Sequence, residues 1–424
     1  MNKITRTVLF LLLFVFAITS CKRDNDDTTE IVNREIYNLM NDYYLWYDKL
    51  PANIDPSAYA TPSALMDALR YKTFDQWSVV ITKTEYNQYF EEGKMIGHGF
   101  LLGLDENDNV RVAFVYRSNQ AFDQGVKRGW IVSRVNGNSV NPSNVFNLLG
   151  ESEIGIRNRI TFIDEDGVVQ ELILTKEEIE ITPVIHYEVL NQNDTMIGYM
   201  VFQDFIDAAN EELDEAFTLF ASEGIDEMIV DLRYNGGGSV DVAEYLAGWL
   251  IGKNFGNQPF VNFRHNDKYA GEMDTTINVP AKANGLDLNR IFFIGTSSTA
   301  SASELIINGV KPFVGSVLAG SATHGKPVGM YAIPFINYDY VVLPVMFKYT
   351  NADDEGDFYE GLPVTLPAED DLTKDFGDPE EGSLKTILDY IGTGIVPEKS
   401  TKSTAGRKNL IESDKPVNQF LKAY

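Results

Sequence analysis

The 424-residue sequence predicts a multidomain α/β protein, on the basis of three observations. Apolar residues recur at helical spacing between residues 30 and 94. Short strand-like runs separated by turns follow between residues 95 and 182. Strand-like and helix-like segments then alternate between residues 183 and 394, a pattern typical of a largely parallel sheet. The sequence therefore predicts a small helical domain, a small β-rich domain and a larger α/β core.

The composition argues against several functional classes. With 44% apolar and 23% charged residues, the chain has the composition of an ordinary globular protein. A formal net charge of −27 argues against nucleic-acid binding, which needs a basic surface. The sequence has no His-Glu-x-x-His motif, no pair of cysteines and no regular carboxylate spacing. Neither a metal site nor another cofactor is therefore predicted.

The N-terminal residues have the pattern of a bacterial lipoprotein leader. Lys3 and Arg6 precede an apolar run over residues 8–17, which has about the length of a signal-peptide core and is too short to span a membrane. The Ile-Thr-Ser-Cys that follows resembles a lipobox, with cleavage before Cys21 and a lipid on its thiol. Residues 1–20 are thus predicted to be a signal peptide. The mature protein is expected in the bacterial cell envelope, lipid-anchored and extracytoplasmic, at the outer membrane or the cell surface; the alternative is an ordinary secreted protein with a spare cysteine.

The segments that flank the predicted domains are polar. Residues 21–29 are expected to form a flexible tether, and residues 395–424 a loosely ordered tail. Because Cys21 is the only cysteine, no intrachain disulfide is possible.

Within the helical domain over residues 30–94, further helices are expected over 62–70 and 84–92. Its first helix is indicated by these apolar and aromatic positions: Ile36, Leu39, Met40, Tyr43, Tyr44 and Tyr47.

A serine-rich turn in the core has the features of a nucleophile site. An apolar run over residues 290–294 predicts a buried strand that ends at Gly295, and residues 304–310 can form a helix. Ser301 would then lie near a helix N-terminus, where unpaired N–H groups favour negative charge. A serine needs a base, and Lys326 can serve if burial keeps it neutral. Taken alone, such a turn is usually a helix cap and such a lysine is usually a solvated surface group.

Two further motifs make the pattern specific. The strand that ends at Asp231 continues as Leu-Arg-Tyr-Asn-Gly-Gly-Gly, where glycines allow a tight turn and expose N–H groups. Together with Thr-Ala-Ser-Ala-Ser-Glu over residues 299–304 and Gly-Lys over residues 325–326, this resembles the C-terminal processing (tail-specific) serine protease family. Three ordered motifs with matching spacing carry the resemblance.

The resemblance implies roles for individual residues. Ser301 would be the nucleophile and Lys326 the base of a Ser-Lys dyad. Main-chain N–H groups of Gly237 and Ala302 would form the oxyanion hole. Two polar positions would support the lysine and the site: Glu304 and Thr323. The implied protein is a serine endopeptidase that cleaves extracytoplasmic protein substrates through an acyl-enzyme.

The resemblance also implies the architecture. Residues 183–394 would form a ClpP/crotonase-like protease core, preceded by a small N-terminal helical domain over residues 30–94. Residues 95–182 resemble an inserted-type PDZ domain, a module that binds peptides by strand addition. Its carboxylate-binding loop would comprise four residues: Gly97, His98, Gly99 and Phe100. This domain would dock substrate C-termini; the alternative is that it only packs on the core.

Two positions depart from the family pattern. Pro312 stands where many members carry an aspartate, and Met330 where others carry a glutamine, so the third, orienting group is unassigned. Two alternatives therefore remain: a catalytically degenerate peptide-binding lipoprotein, and a non-proteolytic acyl-transfer or ligand-binding protein on a crotonase-like core. The sequence predicts no particular substrate and no oligomeric state.

Overall fold

The computed structural model describes residues 24–396, with side chains from residue 28 onward. The predicted signal peptide over 1–20, the predicted lipidation site Cys21 and all but the first two residues of the predicted tail over 395–424 lie outside this range. Within it, no helix is long and apolar enough to cross a membrane. Residues 24–396 also contain no group of three or more His, Cys, Asp or Glu side chains that could hold a metal ion.

The N-terminal segment is helical, as the periodicity predicts. Helix α1 (Asp24–Tyr43) begins inside the segment expected to be a flexible tether. Its buried stripe of Val32, Ile36 and Met40 packs on helix α2 (Pro62–Leu69), and α1 also contacts the short helical turns that precede α2. The remaining elements of this segment are α2 (Pro62–Leu69), β1 (Val79–Ile81) and α3 (Lys83–Tyr86), which continues into a π-helical turn over Asn87–Glu91.

The β-rich segment forms a small domain with its own apolar core. Its main sheet has the order β3-β4-β5-β7-β8, with β6 paired to β5 and a separate β2–β9 pair. Asn136 and Gly137 both have positive φ (53° and 82°), which makes the hairpin turn predicted for Asn-Gly. The bounds are β2 (Lys94–Gly97), β3 (Phe100–Leu104), β4 (Val110–Val115), α4 (Gln120–Asp123), β5 (Ile131–Val135), β6 (Asn138–Ser139), α5 (Val145–Leu149), β7 (Arg157–Ile163), β8 (Val169–Thr175) and β9 (Glu177–Glu180).

The core is built on a six-stranded sheet of order β10-β11-β12-β15-β16-β21. All neighbouring pairs except β10–β11 are parallel, as the alternation of strands and helices predicts. The bounds are β10 (Val184–Gln192), β11 (Thr195–Phe202), α6 (Ala209–Glu223), β12 (Glu227–Asp231), α7 (Val240–Phe255), β13 (Pro259–His265), α8 (Ala270–Met273), β14 (Thr275–Asn278), β15 (Arg290–Gly295), α9 (Ala302–Val310), β16 (Gly315–Gly320), β17 (Val328–Met330), β18 (Ile333–Pro334), β19 (Val341–Leu343), β20 (Val345–Asn351), β21 (Leu366–Pro367) and α10 (Gly382–Thr393).

The two faces of this sheet are covered differently. Met228 and Val230 of β12 pack with α6, α7 and α9, whereas Ile229 between them packs with α10 and the β-rich domain. This alternation follows from the two-residue period of a strand. A second sheet, β14-β13-β20-β17, lies beside α9, and a small sheet β1-β19-β18 joins the N-terminal segment to the core. The serine turn lies between β15 and α9, where these layers meet.

Candidate active site

Ser301 is the residue immediately before helix α9, as the sequence predicts, and its backbone is strained. Its φ is 55° and its ψ is −115°, a conformation that non-glycine residues rarely adopt. The turn is tied to the glycine-rich loop after β12. Ala300 N–H and Ser303 Oγ–H both donate to the Asn235 carbonyl (3.1 and 3.0 Å). Such strain is typical of sites where surrounding contacts hold a side chain in one direction.

The glycine loop lies against Ser301. A Cβ added to Gly237 would lie 2.7 Å from Ser301 Cβ and 2.9 Å from Ala302 N, so only glycine fits there. The resemblance implies that the Gly237 N–H is an oxyanion donor. In this structure that N–H instead donates to Asn235 Oδ1 at 2.8 Å. Among the described residues, no hydrogen bond engages the N–H of Ala302. The loop and the helix N-terminus are thus brought together, with one donor already paired.

Lys326 lies in the loop between β16 and β17 and is 3% exposed. Burial lowers the pKa of its ammonium group to about 8, although the carboxylates of Asp75 and Glu304 oppose this shift. A buried lysine with a pKa near 8 is partly neutral at physiological pH and can act as a general base. The sequence-predicted condition for a catalytic lysine, burial, is therefore present.

Glu304 connects the serine to the lysine. Its carboxylate is fully buried and accepts hydrogen bonds from the main-chain N–H groups of Ser301 (3.0 Å), Gly325 (2.7 Å) and Lys326 (2.8 Å). Thr323 Oγ1 donates a fourth, at 2.6 Å. Burial raises the pKa of Glu304, and these four donors oppose the increase. Glu304 thus contacts the loop of the lysine, and Thr323 is part of that loop.

Tyr349 makes a second connection that the sequence did not reveal. Its hydroxyl lies 3.1 Å from the main-chain carbonyl oxygens of both Ser301 and Lys326. The residue belongs to β20, which reads as an ordinary apolar strand and carries no motif. A buried tyrosine needs a hydrogen-bond partner, but the sequence alone does not show which one.

The N-terminal segment also reaches the lysine. The Trp77 ring centroid lies 5.8 Å from Lys326 Nζ, and Trp77 Nε1–H donates to His324 Nε2 at 3.4 Å. Burial, followed by the charge of Lys326, lowers the pKa of His324 to about 4, so this imidazole is neutral at physiological pH. Sequence reasoning assigned no role to these residues because they are far apart along the chain.

The two departures from the family pattern supply no polar partner for the lysine. Pro312 lies just beyond α9, and Met330 ends β17 among apolar residues of the N-terminal segment. Proline has no side-chain acceptor and a thioether sulfur is a weak one, so neither side chain matches the carboxylate or amide of the family pattern.

The predicted carboxylate-binding loop lies in the β-rich domain and is separate from the serine. Residues 97–100 connect β2 to β3, and Gly99 has a positive φ of 80°. His98 is buried, its Nε2 lies 2.8 Å from Asn158 Oδ1, and burial lowers its pKa to about 4. The Gly99 carbonyl accepts a hydrogen bond from Tyr116 N–H. These contacts stay within the domain.

A buried carboxylate joins all three parts of the chain. Asp204, at the end of the β11 segment, accepts hydrogen bonds from Tyr89 of the N-terminal segment (2.6 Å) and Tyr116 of the β-rich domain (3.2 Å). Burial raises the pKa of Asp204 to about 7. The next residue, Phe205, donates its N–H to the Gly237 carbonyl at 3.2 Å. The junction of the three parts is therefore one residue away from the glycine loop.

Two protein-family models match segments of this chain. Residues 32–79 match the model of the peptidase S41 N-terminal domain, and residues 196–362 match the model of peptidase family S41. Both segments belong to peptidase family S41. The second match contains all of the residues brought together at Ser301, and the first contains Trp77.

Curated proteins that are similar to this chain are named as serine proteases. A "Probable CtpA-like serine protease" of Staphylococcus saprophyticus is 22% identical over 308 residues, which cover 72% of this chain and 58% of the relative. The protein of the same name from Staphylococcus aureus strain COL is 22% identical over 310 residues, with the same coverage. The alignments thus span 58% of the length of these curated relatives.

Solved structures share the fold of this S41 chain. A candidate S41 protease from Bacteroides fragilis has a TM-score of 0.72 and 23% identity, covering 86% of this chain and 98% of that one. The photosystem II D1 C-terminal processing protease has a TM-score of 0.50 and 17% identity, covering 87% and 98%. Both likenesses extend over the N-terminal, β-rich and core parts together.

Proposed function

We propose that the protein is a serine endopeptidase in which neutral Lys326 is the general base for Ser301. Lys326 Nζ takes the hydroxyl proton as Ser301 Oγ bonds to the peptide carbonyl carbon. The C–N bond then breaks, the proton passes to the leaving amine, and water hydrolyses the acyl-enzyme. The observation that carries this proposal is the buried lysine, held to the serine main chain through Glu304.

Oxyanion stabilisation falls to the helix N-terminus and the glycine loop. The Ala302 N–H stands at the start of α9, where the helix dipole favours negative charge. Gly237 can add a second donor when it exchanges Asn235 Oδ1 for the oxyanion. Losing one such donor typically raises the barrier by about 3 kcal/mol.

The remaining assignments complete the proposal. The β-rich domain acts as a PDZ domain that docks substrate C-termini through residues 97–100. A lipid on Cys21 holds the protein in the cell envelope, where it faces extracytoplasmic substrates. The short loop before β3, with its positive-φ glycine, supports the peptide-binding role. A peptide with a free C-terminal carboxylate should therefore bind more tightly than its amidated form in calorimetry. Equal affinity would contradict docking at this loop.

The test compares wild-type protein with Ser301→Ala, Lys326→Ala and the matched control Ser298→Ala, which changes a neighbouring serine on the same turn. Wild type and Ser298→Ala should cleave an unfolded protein substrate and react with a fluorophosphonate probe. Ser301→Ala should do neither, and Lys326→Ala should lose cleavage while its melting temperature shows that it folds. Undiminished cleavage by Ser301→Ala would overturn the proposal. Peptide binding without cleavage or labelling by wild type would favour the degenerate peptide-binding lipoprotein.

A further inference from the structure

The lysine lacks the polar partner that the family pattern would place after it, because that position is Met330. The residue is nevertheless surrounded by groups from several elements. Glu304 comes from α9, His324 from the lysine's own loop and Tyr349 from β20, whereas Asp75 comes from the N-terminal segment. The Glu304 carboxylate already accepts four hydrogen bonds, and Tyr349 contacts only the main chain of Lys326.

Asp75 is held in a fixed position by its neighbours. It is 1% exposed, and its Oδ1 accepts the main-chain N–H groups of Trp77 and Ser78, both at 2.9 Å. Its Oδ2 accepts the hydroxyl of Tyr44 at 2.7 Å. Ser78 Oγ in turn accepts the N–H of Val345, which is on the same strand as Tyr349. The carboxylate is therefore buried and anchored to the core.

Trp77 connects this carboxylate to the lysine. Its main-chain N–H contacts Asp75, its ring faces Lys326 Nζ at 5.8 Å, and its indole N–H binds His324. Trp77 is 5% exposed and Lys326 is 3% exposed. An aromatic face and a nearby carboxylate both stabilise the charged form of an ammonium group. Burial acts in the opposite direction.

We propose that the turn over residues 75–78 is part of the catalytic apparatus, with Asp75 as a positioning residue that fixes the pH range in which Lys326 can accept a proton. The N-terminal segment thereby supplies a buried negative charge near the lysine, whose family position for a polar partner is Met330. This inference rests on the proposed Ser301–Lys326 chemistry. Among the charged groups that face the lysine, Asp75 raises its pKa most, ahead of Glu304. His324 is neutral and cannot substitute for either.

The direction of the effect distinguishes this role from a structural one. Lys326 must lose its proton to act, so the acid limb of kcat/KM follows its pKa. Removing the negative charge of Asp75 removes a group that raises this pKa. Asp75→Asn should therefore move the acid limb to lower pH, by about one pH unit. A merely structural defect would lower activity at every pH and leave the midpoint unchanged.

The experiment measures kcat/KM against pH for wild type, Asp75→Asn and the matched control Tyr44→Phe, with melting temperatures recorded for each. Tyr44→Phe removes one hydrogen bond to Asp75 but keeps the charge, so its midpoint should stay within a few tenths of a unit of wild type. If Asp75→Asn does not fold, Trp77→Phe replaces it and should shift the midpoint in the same direction, because a phenyl face stabilises an ammonium group less than an indole does. An unchanged midpoint in the folded variant would overturn the inference.

A second measurement does not need activity. In 15N-lysine-labelled Ser301→Ala protein, NMR follows the titration of Lys326 directly, with its signal assigned by its loss in the Lys326→Met form. The titration should move to lower pH by about one unit when Asp75→Asn is added. If the shift occurs but wild type shows no proteolysis, the inference about Asp75 stands and the proposed function fails. If proteolysis depends on Ser301 and Lys326 but neither measurement shifts, only the inference fails.

Discussion

The main chains of Ser301 and Lys326 are bound by the same two side chains. Glu304 accepts the N–H of both residues, and the Tyr349 hydroxyl lies 3.1 Å from the carbonyl of both. A loop residue and a helix-cap residue are thereby fixed to each other through α9 and β20. The relative position of the two groups is determined by regular elements, although both residues lie outside them.

Glu304→Gln should therefore damage the site more than its small change in shape suggests. Four donors point at the carboxylate, but a glutamine offers one acceptor oxygen and an NH2 group, so at least one donor loses its partner. We expect a loss of about 1–3 kcal/mol in unfolding free energy and about a 100-fold loss in kcat. Tyr349→Phe, which keeps the ring, should cost about 1 kcal/mol and reduce kcat less. Denaturant unfolding measures the loss of stability, and steady-state kinetics measure the loss of kcat. A wild-type kcat in folded Glu304→Gln would show that the hydrogen bonds of Glu304 have no catalytic effect.

Gly237→Ala tests the glycine loop. The added Cβ would lie 2.7 Å from Ser301 Cβ, and the backbone φ of +102° is unfavourable for alanine. We expect a strain of about 1–3 kcal/mol and a loss in kcat of about 100-fold or more, because the loop must move away from the serine. The matched control is Gly271→Ala, where no atom lies within 4 Å of the new Cβ. Equal activity of the two variants would exclude the loop from the reaction.

The wild-type pH profile should identify the base. Because burial lowers the pKa of Lys326 to about 8, kcat/KM should rise with pH through a midpoint near 8. A histidine base would give a lower midpoint, and His324, with a pKa near 4, would give one far lower. Initial rates between pH 5 and 10 check this, with melting temperatures at each pH as the control. A midpoint below 7 would contradict lysine as the base.

Asp204→Asn should change the pH dependence of stability. Burial raises the pKa of Asp204 from 3.8 to about 7, so its contribution to stability is full below pH 3.8 and is lost as pH rises through 7. Above pH 7 the charged carboxylate opposes folding, and the neutral amide does not. The variant should match wild type near pH 4 and exceed it by roughly 2–4 kcal/mol at pH 8. Denaturant unfolding at the two pH values measures this; equal gains at both would show that the charge is not responsible.

The sequence predicted the elements that depend on local patterns. The strand–turn–helix around Ser301 follows from an apolar run, a glycine and a second apolar run. The parallel sheet of the core follows from the alternation of strand-like and helix-like segments. Glu304 and Lys326 were found because they stand at fixed spacing from the serine within motifs. The helix that begins at Asp24 was expected only from about residue 30, because the acidic start of α1 lacks the apolar period that begins at Val32.

The rest of the site depends on contacts between distant segments. Asp75, Trp77 and Tyr349 reach Lys326 from elements that are ordinary in sequence, and their polar partners are mostly main-chain groups, which no side-chain pattern records. The pairing of Gly237 N–H with Asn235 likewise depends on the turn of the loop. Motif spacing finds groups that act together only when each of them belongs to a recognisable motif.

Strand β1 has a consequence for how the protein is made. Val79–Ile81 pairs with Val341–Leu343, so the strand is synthesised long before its partner exists. Until then, the N-terminal segment cannot pack beside Lys326. Its aromatic residues stay exposed or are shielded by other proteins. The small sheet β1-β19-β18, which joins the N-terminal segment to the core, can therefore form only after most of the chain has been made.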